Sequence, residues 1–195
     1  MAIKVDATSL AVGLEDGSIE VWERVGFPKN ASKLPQAQPY KRLAPIHKHN
    51  DLVRVIDMSP NLIVSGSWDA SIKMWNRQTG QILASYISPE GPISGIHLNE
   101  SSQYLLFSAR SGKVKKLKIC PNQLVLSSKF EMNHGDCVID MNVDGNYILT
   151  GGSDAKLILW SFDLDETKLI KVLKGHDNGI RCVYLKYPFA MSGSR

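Results

Sequence analysis

The chain has 195 residues, a formal net charge of +4 and a hydrophobic fraction of 43%. This length fits one domain or two small ones, with enough apolar content for a core without disulfides. No apolar run approaches the roughly 18 residues of a membrane-spanning helix. The three cysteines form no Cys-x-x-Cys pair, which argues against a zinc site and favours a reducing compartment. We therefore expect no metal, no cofactor and no membrane contact, and a location in the cytoplasm, the nucleus or both.

Four segments of the chain repeat one another and end on a large apolar residue. They read VGLEDGSIEVW, SGSWDASIKMW, FSARSGKVKKL and TGGSDAKLILW, and they end at Trp22, Trp75, Leu117 and Trp160. These end positions are 53, 42 and 43 residues apart, and a fifth copy begins with SGSR at Ser192. A period in this range is the signature of a repeat architecture.

Three copies also share a pattern upstream of these segments. His49, His134 and His176 are each followed, at equal distances, by a pair of apolar residues and then by a hydroxyl residue. The apolar pairs are Ile56 and Met58, Met141 and Val143, and Val183 and Leu185, and the hydroxyl residues are Ser65, Thr150 and Ser192. Agreement at so many positions without a gap argues against chance similarity.

The local pattern within a copy is that of β-strands. Short runs at 53–58, 62–67, 71–75 and 82–87 are separated by Pro, Asn, Asp and Gly. No stretch keeps a 3.6-residue apolar period over three turns, so no helix is predicted. Four strands in about 42 residues indicate the blade of a β-propeller.

These motifs resemble those of the WD-repeat (WD40) family. The family signature is a Gly-His pair, a Ser-Gly-Ser-x-Asp turn and a closing Trp-Asp pair. Gly175-His176 matches the first element, and the segments at 65–69 and 150–154 match the turn. The closing pairs depart from the signature, because Trp22, Trp75 and Trp160 are followed by Glu, Asn and Ser.

The resemblance implies an all-β WD40 propeller over residues 1–195, with about four and a half four-stranded blades of an incomplete seven-bladed ring. The expected blades lie at about 1–46, 49–87, 91–130, 134–173 and, incompletely, 176–195, with a Pro- and Lys-rich insertion at 26–47. The third copy has Pro89, Ser111 and Leu117 where the others have His, Asp and Trp. We therefore expect that blade to depend on apolar packing.

The resemblance also assigns a buried hydrogen-bonded chain to each blade. Its members are His49, Ser65, Asp69 and Trp75 in one blade, His134, Thr150, Asp154 and Trp160 in another, and His176 and Ser192 in the last. A Ser, His and Asp combination could also be a hydrolase triad. Recurrence at the blade period, always with Trp in a complete set, favours the structural role, and we expect no catalytic residue.

Partner binding is expected at one edge of the propeller. The positions just before the turn Asp face this edge in the family, and we call them the rim; here they are Glu15, Trp68, Arg110, Ser153 and Arg195. Trp68 is either a binding anchor, since Trp is enriched at binding hot spots, or a cover for the neighbouring turn. Arg54 and Arg181 occupy the same position in two copies, counted from His49 and His176. Together with Arg195 they are similar to the phosphate-binding arginines of F-box/WD-repeat substrate receptors.

Basic residues offer an alternative function. The insertion at 26–47 contains Lys and Arg but no acid, and a lysine cluster surrounds 113–118. Strand alternation places Lys113 and Lys115 on one face and Lys116 and Lys118 on the other, which argues against one nucleic-acid patch.

The leading hypothesis is a non-enzymatic scaffold that binds a peptide or partner subunit at the rim. Its narrower form is a ubiquitin-ligase substrate receptor that reads a phosphorylated peptide and reaches a cullin adaptor through regions beyond these residues. The alternative is a ribonucleoprotein or chromatin scaffold that contacts nucleic acid through basic loops, although a nucleic-acid partner is disfavoured.

Overall fold

The structure is a computed structural model that describes residues 2–24, 40–42, 48–163 and 166–195. Within these ranges it contains 18 β-strands and no helix. The first sheet contains β1 (Ala2–Val5), β2 (Ser9–Gly13), β3 (Ile19–Arg24) and β4 (Tyr40–Arg42). The second contains β5 (Val53–Met58), β6 (Leu62–Ser67), β7 (Ser71–Asn76) and β8 (Ile82–Ile87). The third contains β9 (Ile93–Asn99), β10 (Tyr104–Ala109), β11 (Lys113–Cys120) and β12 (Gln123–Asn133).

The fourth sheet contains β13 (Val138–Asp144), β14 (Tyr147–Gly152), β15 (Leu157–Asp163) and β16 (Glu166–Leu173). The fifth contains β17 (Ile180–Lys186) and β18 (Phe189–Ser194). All neighbouring strands are antiparallel and follow chain order, so each sheet is an up-and-down meander. This architecture confirms the all-β fold class, and an incomplete propeller is consistent with the open sheets.

A repeated turn joins the second and third strands of the four complete blades. In the second blade, Asp69 Oδ1 accepts the backbone N–H of Ser71 at 2.8 Å, and the intervening Ala70 has φ 64°. The residues at the position of Ala70 in the other blades also have left-handed backbones: Gly17, Gly112 and Ala155. Carboxylate and hydroxyl side chains favour such turns because they bond the backbone two residues on. Ser111 does this in the third blade through its Oγ.

Apolar packing between successive sheets forms the core. The buried apolar residues fall into four clusters, one at each boundary between neighbouring sheets. Members of these clusters include Val21 and Trp75, Met74 and Leu117, Val114 and Trp160, and Leu149 and Val183. Strand alternation produces this arrangement, because successive side chains point to opposite faces of each sheet.

The first strand of each sheet is its inner strand, which contacts the first strand of the next sheet. Polar side chains on these inner strands also join neighbouring blades. Asp57 on β5 accepts the backbone N–H of Leu98 on β9 at 2.8 Å. Asp140 on β13 accepts the backbone N–H of Val183 on β17, also at 2.8 Å. Because each bond reaches a fixed backbone group of the next sheet, it holds the two inner strands in register.

Arg77 joins the first two blades at the turns between their first and second strands, a link that we call the Arg77 clamp. Its guanidinium pairs with Asp6 at 2.7 Å and donates to the hydroxyls of Thr8 and Ser9 in the first blade. It also donates to the carbonyl oxygen of Ser59 in its own blade at 2.7 Å. The side chain of Arg77 is 11% exposed and that of Asp6 is 35% exposed, so the guanidinium is largely shielded from water.

We expect Arg77→Ala to lower the free energy of unfolding by about 2 kcal/mol, because it removes the ion pair with Asp6 and the hydrogen bonds to two hydroxyls and a carbonyl oxygen. Urea unfolding of the whole chain measures this change. Lys48→Ala is the matched control, since the Lys48–Asp16 ion pair is largely exposed and such pairs contribute about 0–1 kcal/mol. Equal losses in the two variants would contradict a clamp at Arg77.

Candidate functional site

The polar set of the second blade forms a continuous hydrogen-bonded chain. The indole N–H of Trp75 donates to Ser65 Oγ at 2.9 Å, and Ser65 Oγ lies 2.7 Å from His49 Nε2. His49 Nδ1 lies 2.8 Å from Ser71 Oγ and 3.4 Å from Asp69. Every group is satisfied if Ser65 donates to Nε2, Nδ1–H donates to Ser71, and Ser71 donates to Asp69. Ser71 is therefore a member of the chain that the sequence comparison did not include.

The fourth blade contains an equivalent hydrogen-bonded chain in which the two imidazole nitrogens exchange roles. Trp160 Nε1–H donates to Thr150 Oγ1 at 3.0 Å, and this hydroxyl lies 2.8 Å from His134 Nδ1, not Nε2. His134 Nε2 then reaches Asp154 directly at 3.2 Å. Gly152 makes room for this contact, because a Cβ at that position would lie 2.6 Å from Asp154 Oδ1 and closer still to the His134 ring.

The remaining blades contain less of the pattern. In the fifth sheet, His176 Nε2 lies 2.9 Å from Ser192 Oγ. In the third blade, Phe107 occupies the position of Ser65, Leu117 occupies that of Trp75, and both are fully buried. The third blade therefore packs hydrocarbon where its neighbours have a polar chain.

Burial of the polar sets decides what they can do chemically. His49 and His134 are 1% and 5% exposed, and Ser65 and Thr150 are fully buried. Each hydroxyl is already bonded to an indole N–H and to an imidazole, so it has no path to a substrate. This geometry supports a role in stabilising the blades.

Burial also keeps the two imidazoles neutral. Desolvation lowers the pKa of His49 from 6.5 to about 4, although the charge of Asp69 acts in the opposite direction. Desolvation likewise lowers the pKa of His134, opposed by its hydrogen bond to Asp154. A neutral ring can accept from one hydroxyl and donate to a second hydroxyl or to a carboxylate, as the two polar chains require.

The rim contains an exposed aromatic side chain in contact with a cation. Trp68 is 43% exposed, and the guanidinium carbon of Arg110 lies over its ring, 5.7 Å from the centroid. The contact crosses from the second blade to the third. The other rim residues, Glu15, Ser153 and Arg195, are exposed in their own blades. Within the described ranges, Trp68 and Arg110 are the two rim side chains that the structure brings together.

Arg54 and Arg181, at the same position in two copies, have different surroundings. Arg54 on β5 is half-buried, and its charge acts on Asp140 of the fourth blade, opposing the rise in pKa that burial causes there. Arg181 on β17 is exposed. The two therefore differ in their availability to a ligand.

Two lysines of the cluster pair with acids. Lys113 lies 3.5 Å from Glu90 and 3.4 Å from Glu131, and Lys115 also pairs with Glu131. Lys116, on the opposite face, lies 5.1 Å from the ring centroid of Tyr104. The insertion at 26–47 lies outside the described residues except for 40–42.

Neither a metal site nor a membrane span emerges from the part of the chain that the structure describes. That part contains no group of three or more His, Cys, Asp or Glu residues arranged to hold an ion. It also contains no helix of the length and apolarity needed to cross a bilayer.

Comparison with known proteins supports the repeat architecture. The family model described as "WD domain, G-beta repeat" matches residues 40–76 and 125–161. Autophagy-related protein 16 of Arabidopsis thaliana is 22% identical over 125 residues, which cover 62% of this chain and 24% of that protein. WD repeat-containing protein 18 of Bos taurus is 23% identical over 124 residues, which cover 58% of this chain and 28% of that protein. The alignments thus span less than a third of either relative.

The fold is also that of a solved structure. The WD40 β-propeller domain of Doa1 superposes with a TM-score of 0.70 and 16% sequence identity. The alignment covers 94% of this chain and 57% of that one. At this level of identity the match concerns the fold alone.

We expect Gly152→Ala to lower the free energy of unfolding by about 1–3 kcal/mol, because the new methyl group must displace His134 or Asp154 from their hydrogen bond. Thermal or urea unfolding measures the loss. Gly175→Ala is the control, since a Cβ there meets no atom within 4 Å. A Gly152 variant as stable as the control would mean that the His134–Asp154 contact is dispensable.

Stability is expected to fall as the pH decreases from 6.5 towards 4. Burial lowers the pKa of His49 in the folded state, so between pH 6.5 and 4 the unfolded chain binds a proton more readily. The contribution of neutral His49 to the free energy of unfolding is therefore complete above pH 6.5 and is lost as the pH falls. Unfolding midpoints at pH 7.5, 6 and 5 test this, with His49→Gln expected to reduce the slope. NMR of the intact chain provides an independent check, in which a His49 ring that becomes protonated near pH 6.5 would refute the assignment.

Proposed function

Because the chain carries WD40 repeats on the blades of a β-propeller, we propose that it is a scaffold that binds a peptide or partner subunit at the rim. WD40 propellers generally serve as protein-interaction scaffolds without enzymatic activity, and the relatives named above are not named as enzymes. The observation that supports the rim is the exposure of Trp68 beside Arg110. Tryptophan and arginine dominate the energetic hot spots of protein interfaces.

The burial of the polar sets further supports a binding role. The hydroxyl and imidazole groups that could have served catalysis are enclosed in the second and fourth blades and bonded to one another. The side chains that a partner meets at this edge are therefore those of the turns. A tryptophan there offers a large contact area with little side-chain entropy to lose.

A narrower proposal is a substrate receptor of a ubiquitin ligase that recognises a phosphorylated peptide. It is supported by the exposure of Arg181 and Arg195, because one guanidinium group can bind two oxygens of a phosphate at once. Arg54 supports it less, since its charge already acts on Asp140. Such a receptor would also engage a cullin adaptor and would work in the cytoplasm or nucleus.

The alternative of a ribonucleoprotein or chromatin scaffold has weaker support. Glu90 and Glu131 neutralise Lys113 and Lys115, which leaves less positive charge for phosphates on that face. Binding to nucleic acid would weaken steeply between 50 and 200 mM salt. Partner binding through Trp68 would depend less on salt, because apolar contact is not screened.

Trp68→Ala is expected to reduce the recovery of specific partners by about tenfold or more, as for a hot-spot residue. The measurement is quantitative mass spectrometry after affinity capture with the full chain. Val125→Ala is the matched control, because Val125 is 42% exposed on the outer strand β12, away from the rim. Circular dichroism confirms that both variants are folded. Unchanged partner recovery with Trp68→Ala would overturn the proposed binding surface.

A further inference from the structure

We propose that Arg110, held over the ring of Trp68, binds a single anionic group of the partner, either a carboxylate or a phosphate. This inference rests on the proposed function, in which the rim is the partner-binding surface. It adds the chemistry of the bound group and the residue that recognises it.

Both side chains project from backbone that is tied into the blades. Trp68 lies in the turn between β6 and β7, and its N–H donates to the carbonyl oxygen of Leu52 at 3.0 Å. Arg110 lies in the turn between β10 and β11, and its N–H donates to the carbonyl oxygen of Pro92 at 3.0 Å. Each turn thus has a bond to the segment before its blade's inner strand. A recognition pair built on such fixed turns keeps its geometry before the ligand arrives.

The guanidinium of Arg110 has N–H donors available to a ligand. It has five N–H groups, and its contact within the described residues is the face of the Trp68 ring. Two acids of the second and third blades are engaged elsewhere, since Glu90 lies 3.5 Å from Lys113 and Asp69 accepts the backbone N–H groups of Asn50 and Ser71. The positive charge of Arg110 is therefore not cancelled by an ion pair with any described acid.

The tryptophan ring makes this arginine a better receptor for an anion than a free one. A cation over an aromatic face within about 6 Å is held by the ring quadrupole, which reduces the side-chain freedom lost on binding. The planar fork can then pair with two oxygens of one carboxylate or phosphate. By contrast, Arg77 has similar chemistry but uses its fork on Asp6 and neighbouring hydroxyls inside the fold.

The test uses the immobilised full chain and three degenerate peptide libraries that differ only at the central residue: phosphoserine, glutamate or serine. Binding is measured at 150 mM salt. We expect at least one anionic library to be retained about tenfold or more over the serine library, as for a charge-assisted hydrogen-bond pair. Arg110→Gln should abolish this preference. Arg110→Lys should restore only part of it, because an ammonium lacks the planar fork.

Lys171→Gln is the matched control, because Lys171 is an exposed cation on the outer strand β16, away from the rim. It should leave the preference unchanged. Retention of the phosphoserine library alone identifies phosphate as the bound group, retention of the glutamate library alone identifies a carboxylate, and retention of both identifies a site for either anion; each of these outcomes supports the proposal. Equal retention of all three libraries, or a preference that survives Arg110→Gln, overturns it.

Failure of this inference can be separated from failure of the proposed function. If Trp68→Ala loses its cellular partners while Arg110→Gln keeps them, the rim binds partners by other chemistry, and the anion site is refuted alone. If Trp68→Ala keeps its partners, the rim itself is refuted as the partner-binding surface.

Discussion

The packing of each sheet against the next is the interaction on which the rest of the structure depends. No sheet of four short strands can bury both faces by itself, so each relies on the apolar side chains of its neighbour. The four apolar clusters lie at these boundaries, and Trp75 and Trp160 each belong to one of them. The hydrogen bonds of Asp57 and Asp140 fix the position of each sheet relative to the next, because each carboxylate accepts from a defined backbone N–H of the following blade.

Buried indole N–H groups create the need for the polar chains. A tryptophan large enough to fill a blade boundary brings a donor that must be satisfied in a dry environment. The second and fourth blades do so through a hydroxyl, an imidazole and a carboxylate, but the imidazole has opposite orientations in the two. A serine relay at Ser71 and direct contact above Gly152 are two local solutions to one requirement.

On the proposed function, this internal use of polar groups leaves recognition to the turns. The turns must keep the Asp or Ser that shapes them, so variation concentrates at the residue just before it. That position holds Glu15, Trp68, Arg110, Ser153 and Arg195 in successive copies. A scaffold can thus change its partner without disturbing its blades, which is consistent with the many roles of propeller folds.

The sequence established the repeat and the short strands, because both follow from side-chain alternation and equal offsets between copies. Resemblance to the WD-repeat family implied the polar sets, but it did not include Ser71. The runs predicted at 53–58, 62–67 and 82–87 match β5, β6 and β8, and β7 differs by one residue. Tertiary structure alone decided the Arg77 clamp, the turned imidazole of His134 and the contact between Trp68 and Arg110. The Arg77 clamp and the Trp68–Arg110 contact depend on how neighbouring blades approach one another, and the orientation of the His134 ring depends on the room that Gly152 leaves within its own blade. Both are set by packing, which spacing along the chain does not encode.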